Sequence, residues 1–172
     1  MIELVDGLGQ LGEALKRNMA KVRILEGIPK DKVYIYHTWN IEDQSLEIQR
    51  NELLKFDDFV HSCHDGKIVF ISTLHEREGK YLLYKMRAET TLQMFKNDFK
   101  IYRIPYMVGK GLCHKIVHDK YEPSPGEIEI STPDDIAYRI LSTLEDGKKF
   151  ECLHGDWLDV NTLKEALLYD RD

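Results

Sequence analysis

The sequence contains no hydrophobic run long enough to cross a bilayer. Its longest apolar stretches, such as 67–71, have the length of a β-strand, whereas a membrane-spanning helix needs about 20 apolar residues. The chain also opens directly into a strand pattern, without the basic and apolar regions of a signal peptide. We therefore expect a cytoplasmic protein that makes no membrane contact.

Cysteine and positive charge are also scarce. The three cysteines are an odd number, and their spacing predicts neither a disulfide framework nor a metal site. The best histidine pair, His114 and His118, lacks the glutamate of a zinc protease motif, so no metal is predicted. Lysine and arginine total 24 against 30 aspartates and glutamates, and the formal net charge of −6 disfavours a nucleic-acid partner.

What is present indicates one α/β domain. The 172 residues, 42% of them hydrophobic, are enough for one continuous core and too few for a second full domain. Short apolar runs alternate with longer amphipathic stretches, which is typical of a mostly parallel sheet with helices on both faces. The stretch 109–127, rich in His, Lys, Gly and Pro, is predicted to be a long functional loop or a reduced cap.

The same pattern predicts the individual elements. The expected strands are Ile2–Val5, Val22–Leu25, Val33–His37, Ile68–Ser72, Lys100–Ile104, Glu127–Ile130 and Phe150–Leu153. The expected helices are Gln10–Asn18, Ile41–Cys63, Lys80–Asn97, Pro133–Leu144 and Asn161–Tyr169. The start of the fourth helix is the clearest boundary, because Thr132 is a capping residue, Pro133 suits a first turn and two aspartates follow.

A glycine-rich turn joins the first expected strand to the first helix. Gly7, Gly9 and Gly12 match the G-x-G-x-x-G fingerprint in the strand-turn-helix context that it requires. Gly7 would allow the tight turn, Gly9 the approach of a pyrophosphate, and Gly12 close helix–strand packing. The helix N-terminus would offer N–H groups to the phosphates. The alternative is a plain turn whose glycines serve geometry alone.

Glu26 is a candidate ligand for the adenosine ribose. It lies at the end of the expected strand Val22–Leu25, about 20 residues after Gly7. However, only residues 27–32 separate it from the next strand, whereas a parallel crossover needs a dozen or more residues. One strand–helix unit is therefore expected to be missing. Either the chain crosses the sheet in extended form, or Val22–Leu25 is not a strand and Glu26 is a solvated charge.

A second cluster combines strand-end hydroxyls with a phenol and an amine. Ser72 and Thr73 end an apolar run, and Tyr81 and Lys85 are four residues apart, which puts them on one helix face. A nearby ammonium would lower the pKa of the Tyr81 phenol, so that it could act as general acid/base. Ser72 or Thr73 would then bind the reacting oxygen. The alternative is a helix surface with Tyr81 half-buried and Lys85 solvated.

These motifs resemble those of the extended short-chain dehydrogenases/reductases, the nucleotide-sugar branch of that superfamily. In order along the chain, the matching segments are 5–15, Ser72-Thr73, Tyr81-x-x-x-Lys85, Ala88-Glu89, Arg103-x-Pro105, 133–137 and 160–166. The first segment is similar to the opening of dTDP-4-dehydrorhamnose reductases. The resemblance implies a shortened, three-layer Rossmann-like domain with a minimal substrate cap.

The resemblance also implies roles for individual residues. The residues expected to bind NAD or NADP are Gly7, Leu8, Gly9, Gln10, Leu11, Gly12, Glu26, His37, Thr38, Lys85 and Pro105. The implied catalytic set is Ser72, Thr73, Tyr81, Lys85 and Asn51, with Asn51 supporting the site from a helix. One departure concerns Thr38-Trp39, which replaces two small residues of the family. The bulky indole is expected to crowd the nicotinamide or adenine site.

Two functions are expected from these features. The first is an NAD(P)-dependent reductase, epimerase or dehydratase acting on a nucleotide-linked sugar or a small polyol. The second is a catalytically silent binding or regulatory subunit, which the missing structure around the adenosine site favours. The family's pairing of long helices implies a homodimer through 41–63 and 80–97, and a solvated helix face is the alternative.

Overall fold

Twelve helices and strands are present in the computed structural model, which describes residues 1–5, 9–25, 31–41, 43–74, 79–108, 126–162 and 165. In chain order they are β1 (Ile2–Val5), α1 (Gln10–Leu25), β2 (Val33–Tyr36), α2 (Leu46–Ser62), β3 (Lys67–Thr73), α3 (Lys80–Phe95), β4 (Phe99–Ile104), β5 (Tyr106–Met107), β6 (Glu127–Ser131), α4 (Pro133–Thr143), β7 (Phe150–Cys152) and β8 (Asp156–Asp159). No helix among these described residues is long and apolar enough to cross a membrane.

The main sheet has five parallel strands in the order β1-β2-β3-β4-β7. Alternation along β3 shows how it is covered. Ile68 and Phe70 pack with α2 and α3, whereas Val69 and Ile71 pack with α1 and α4 on the opposite face. Each face therefore has its own apolar core. The predicted α/β class, a mostly parallel sheet with helices on both faces, is confirmed.

A smaller second sheet follows the carboxyl end of β4. Its strand order is β5-β6-β8, with β6 parallel to β5 and antiparallel to β8. It encloses a small core of Tyr106, Ile128, Ile130 and Val160. The sequence pattern predicted β6 and missed β5 and β8, because β5 has two residues and β8 exposes most of its side chains.

The strand predicted over Val22–Leu25 is wrong. These residues form the last turn of α1, which runs without interruption from Gln10. β1 pairs directly with β2, so α1 itself is the crossover between them. The physical reason is the short connection that follows, since the seven or so residues before β2 are too few for a second parallel crossover. Glu26 lies outside the described residues, and the strand end on which its predicted role depended does not exist.

β1 therefore stands at the edge of the sheet. Among the residues that the structure describes, no strand pairs with its outer edge. The dinucleotide-binding order 3-2-1-4-5-6 has two strands there, and the ligand lies across the point where the order reverses. In the described part of this chain the sheet extends from β1 in one direction only.

The remaining predicted elements are confirmed with shifted ends. The helices predicted over 41–63 and 80–97 begin or end a few residues inside those limits, as Leu46–Ser62 and Lys80–Phe95. Thr132 caps α4 as predicted, since its side chain accepts a hydrogen bond from the Asp135 backbone N–H at 3.1 Å. The stretch 109–125 and most of the predicted last helix lie outside the described residues.

Gly66, in the turn between α2 and β3, gives a test of this fold. Its φ is +84°, and a Cβ there would lie 2.4 Å from the Lys32 carbonyl oxygen. Gly147 has a similar φ of +78° with nothing within 4 Å of a Cβ. We expect Gly66→Ala to lower the free energy of unfolding by about 2 kcal/mol or more and Gly147→Ala by about 1 kcal/mol, measured in urea. Equal losses would show that the contact with Lys32 is absent.

Candidate functional site

The candidate site lies at the carboxyl edge of the parallel strands. Gly9 precedes α1, and its carbonyl accepts the first helical hydrogen bond from Glu13 at 2.9 Å. Ser72 and Thr73 end β3, and α3 begins at the same edge. β1 and β3 are two strands apart, a lateral distance of about 10 Å. Open α/β sheets bind their ligands at this edge.

Ser72 is the strand-end hydroxyl that faces α3. Because side chains alternate along β3, Ser72 points to the same face as Phe70, and Thr73 points to the opposite face, with Ile71. Both hydroxyl residues are buried. Of the two hydroxyls that the motif allowed, the structure thus brings Ser72 to the face that carries Tyr81 and Lys85.

The Lys85 amine is buried beneath the end of β3. Its Nζ donates a hydrogen bond to the Ile71 carbonyl at 2.8 Å, and the residue is only 3% exposed. Burial lowers the pKa of Lys85 to about 7, against the weaker opposing attraction of Glu52 and Glu89. The solvated lysine of the alternative interpretation is therefore wrong.

Aromatic rings surround this amine. The ring centroids of Trp39 and Phe70 lie 4.6 and 4.7 Å from Nζ, and that of Tyr81 lies 5.9 Å away. Tyr81 is part-buried in the first turn of α3, one helical turn before Lys85, as the four-residue spacing predicted. The neighbouring phenol, Tyr84, is buried and stacks beneath the Arg87 guanidinium instead.

Trp39 approaches Lys85 from the carboxyl edge, because it follows the end of β2 by three residues. Its Nε1–H donates to the Gln49 side-chain oxygen at 2.8 Å, and its ring meets Phe70 edge-on. The indole ring lies against the Lys85 amine, with its centroid 4.6 Å from Nζ. That Trp39 crowds the nicotinamide or adenine site stays a prediction.

Glu89 and Arg103 form an ion pair between α3 and β4 in which the carboxylate is buried and the guanidinium is partly exposed. The guanidinium donates two hydrogen bonds to the carboxylate, at 3.1 Å from Nε and 2.6 Å from Nη2. Glu89 is almost fully buried, and the paired carboxylate raises the pKa of Arg103. Glu89 and Arg103, which both belong to motifs of the family resemblance, thus bind each other.

The other predicted site residues fall in three groups. Gly7, Leu8 and Glu26 lie outside the described residues. The second group stands at or near the carboxyl edge and consists of Gly9, Gln10, Gly12, His37, Thr38 and Pro105. The third group has side chains directed elsewhere: Leu11 is part of the apolar core under the sheet, and Asn51 is exposed on α2.

The predicted supporting role of Asn51 is therefore wrong, because its side chain is exposed on α2. On α2 the face toward the sheet carries Gln49, Phe56 and Val60, all fully buried, and Asn51 is about 200° of helical rotation from Gln49. Gln49, which accepts the Trp39 indole N–H, is the α2 residue that sequence reasoning missed. The available signal was a glutamine on an apolar stripe that continues at helical spacing.

No family model and no curated protein matches the sequence. Solved structures do match its fold. A dTDP-4-dehydrorhamnose reductase from Clostridium acetobutylicum has a TM-score of 0.75 at 13% identity, covering 98% of this chain and 80% of that one. The enzyme WbmH from Bordetella bronchiseptica, in complex with NAD+, has a TM-score of 0.73 at 13% identity, with the same coverage. A nucleoside-diphosphate-sugar epimerase from Staphylococcus aureus reaches 0.71 at 16% identity, covering 96% and 76%.

The chain has the α/β fold of these solved structures. This confirms the predicted resemblance at the level of the fold. At identities of 10–16% the likeness extends to the arrangement of the elements and no further.

The residues around Lys85 do not fit a nicotinamide dinucleotide. A ribose hydroxyl would have to come within about 3 Å of Nζ, which is covered by Trp39, Phe70 and the Ile71 carbonyl. On the adenosine side, no described strand stands beyond β1. Only the phosphate position is open, since a Cβ on Gly9 would meet nothing within 4 Å. Of the ribose, adenosine and phosphate positions of such a site, the described residues thus offer only the phosphate position.

The buried amine predicts a pH dependence of stability. The folded-state pKa of about 7 lies below the ordinary 10.5, so between these values the unfolded chain binds one proton more than the folded chain. Stability is therefore lower at pH 7 and rises as the pH increases. Relative to Lys85→Met, we expect the wild type to gain roughly 2 kcal/mol between pH 7 and pH 9, measured by urea unfolding. The exposed Lys55→Met variant serves as control, and parallel curves for wild type and Lys85→Met would contradict a buried neutral amine.

Proposed function

We propose that the chain is a catalytically silent binding or regulatory subunit that keeps the fold of nucleotide-sugar enzymes without their dinucleotide. Its ligand or partner would belong to nucleotide-sugar metabolism, as with the proteins of similar fold. The observation that carries this proposal is the Trp39 indole over the Lys85 amine. The Lys85 amine donates to the Ile71 carbonyl and lies against the Trp39 and Phe70 rings, which supports a closed site that a cofactor ribose does not reach.

The edge position of β1 supports the same function. A dinucleotide binds across the point where strand order reverses, and the described sheet has no reversal at β1. The adenosine half of the cofactor would lie beyond an edge that carries no described strand. The covered Lys85 on the nicotinamide side and the described sheet edge at β1 on the adenosine side together argue against hydride transfer more strongly than either observation alone.

An NAD(P)-dependent enzyme acting on a nucleotide-linked sugar is the second candidate. The observation that favours it is the common face of Ser72, Tyr81 and Lys85 at the carboxyl edge. A phenol near an amine is suited to acid/base chemistry, and a serine hydroxyl to binding a carbonyl oxygen. This candidate requires Trp39 to leave Lys85 before the cofactor binds.

Calorimetric titration distinguishes the two candidates. We expect no binding of NAD+, NADP+ or their reduced forms at millimolar concentration, because Lys85 is covered and the adenosine side has no described strand. A panel of uridine, guanosine and thymidine diphosphate sugars is titrated into the same preparation to find the ligand. Binding of a dinucleotide, with turnover lost in Tyr81→Phe and retained in Tyr84→Phe, would contradict the silent subunit and establish the enzyme.

We also propose that the protein forms a homodimer through α2 and α3. Large apolar side chains are exposed on the outer face of this helix pair, namely Leu46, Leu54, Leu83, Met86, Met94 and Phe95. They are six of the ten large hydrophobic residues that the described chain exposes, so the exposed apolar surface is concentrated there. A second copy would cover this surface with an identical one.

Sedimentation equilibrium tests the dimer. We expect Leu54→Glu and Met86→Glu each to weaken dimerisation by at least about tenfold, since each removes apolar contact area worth 1–3 kcal/mol. Tyr138→Glu is the matched control, because Tyr138 is equally exposed but lies on α4, on the opposite face of the sheet. A wild type that remains monomeric at about 100 μM, or an equal effect of the control, would exclude this interface.

A further inference from the structure

We propose that Gln49 is a positioning residue that holds the Trp39 indole closed over the Lys85 amine and so decides whether a ligand can reach that amine. Gln49 acts through Trp39, because its Oε1 accepts the indole N–H and the indole ring lies against the amine. This inference rests on the proposed function of a silent subunit, and it names the residue that keeps ligands away from the Lys85 amine.

The Gln49 side chain is fully buried and its amide is fully used. Its Oε1 accepts the Trp39 indole N–H at 2.8 Å. Its Nε2 donates to the carbonyl oxygens of Asn40 and Asp43, both at 2.7 Å. A glutamine amide has two donor hydrogens and one acceptor oxygen, so these three hydrogen bonds fix its orientation as well as its position.

The segment that carries Trp39 is tied to α2 at further points. The Asn40 backbone N–H donates to the Glu52 carboxylate at 3.2 Å, and the Asn40 side chain accepts from the Asp43 N–H at 3.0 Å. The Asp43 carboxylate in turn accepts from the Ser45 N–H at 2.8 Å. These bonds shape the segment, but only the bond from Gln49 acts on the indole itself. Gln49 therefore couples the position of the ring to the helix.

Removing the Gln49 amide should release the ring. The indole's other contacts, with Phe70 and with the Lys85 amine, are ring contacts that tolerate rotation and sliding. Without the amide, the part-buried indole N–H would lose the hydrogen bond that Gln49 accepts in the closed position. Hydration of this N–H then favours an open segment, in which Lys85 faces the crevice.

Amine labelling measures whether Lys85 is covered. The folded protein is acetylated briefly at pH 8, and the modified fraction of each lysine is determined by peptide mass spectrometry. We expect Gln49→Met, which has similar volume and no amide, to raise Lys85 labelling at least about tenfold over wild type, as Trp39→Ala does. Gln93→Met is the matched control on α3, where the glutamine is exposed and bonds to the Glu89 carbonyl.

Lys100 reports on general unfolding in the same samples. It is 1% exposed and paired with Asp146 and Glu151, and its Nζ donates to the Thr143 carbonyl of α4, on the opposite face of the sheet from α2. Labelling of Lys85 that rises while Lys100 stays protected supports the proposal. Lys100 rising in parallel would mean that Gln49→Met merely unfolds the protein, and the proposal would be overturned.

Two further outcomes also overturn it. If Lys85 stays protected in Gln49→Met but is labelled in Trp39→Ala, the Trp39 indole covers the amine without the help of the Gln49 amide. Lys85 that stays protected in both variants would show that Trp39 does not cover it. None of these outcomes depends on cofactor binding, so a failure here is distinct from the failure of the silent subunit, which dinucleotide binding by the wild type would demonstrate.

Discussion

Burial of a primary amine constrains everything that packs around it. An ammonium loses most of its hydration when it enters a protein core, and it is retained there only if it becomes neutral or finds compensating contacts. Around Lys85 the chain provides a backbone carbonyl at 2.8 Å and two aromatic faces, while the carboxylates of Glu52 and Glu89 act from a distance. These contacts fix α3 against the end of β3 and give the Trp39 ring a defined surface to cover. The amine thus joins α3, β3 and the segment after β2 into one unit.

The sheet explains why this unit can be closed. With α1 acting as the crossover between β1 and β2, the described sheet extends from β1 in one direction, and no reversal of strand order opens a crevice for a dinucleotide. The single direction in which the described sheet extends from β1 and the indole over Lys85 both agree with the proposed absence of a dinucleotide.

Most of the fold could be predicted from local pattern, and the failures have physical reasons. Buried parallel strands such as Lys67–Thr73 are apolar on both faces, and the cap of α4 depends on adjacent residues only. Val22–Leu25 resembles a strand by composition, but it is helical because the connection after it is too short for another crossover. In the site, the spacing of Tyr81 and Lys85 predicted their common face. It could not predict that Trp39 would cover the amine or that Gln49, rather than Asn51, would face inward, because these depend on packing between segments.

Residues of the family motifs also stabilise the fold, independently of any catalytic role. Lys85 bonds to the backbone of β3, and Glu89 and Arg103 bind each other across α3 and β4. Replacing Arg103 would leave the buried Glu89 carboxylate without its partner, at a cost of several kcal/mol, whereas the Arg103 guanidinium is itself partly solvated. The ion pair and the bonded amine stabilise the fold whether or not the chain catalyses a reaction. Retention of Tyr-x-x-x-Lys-x-x-x-Glu is therefore weak support for catalysis, whereas the access that Trp39 leaves to Lys85 bears on it directly.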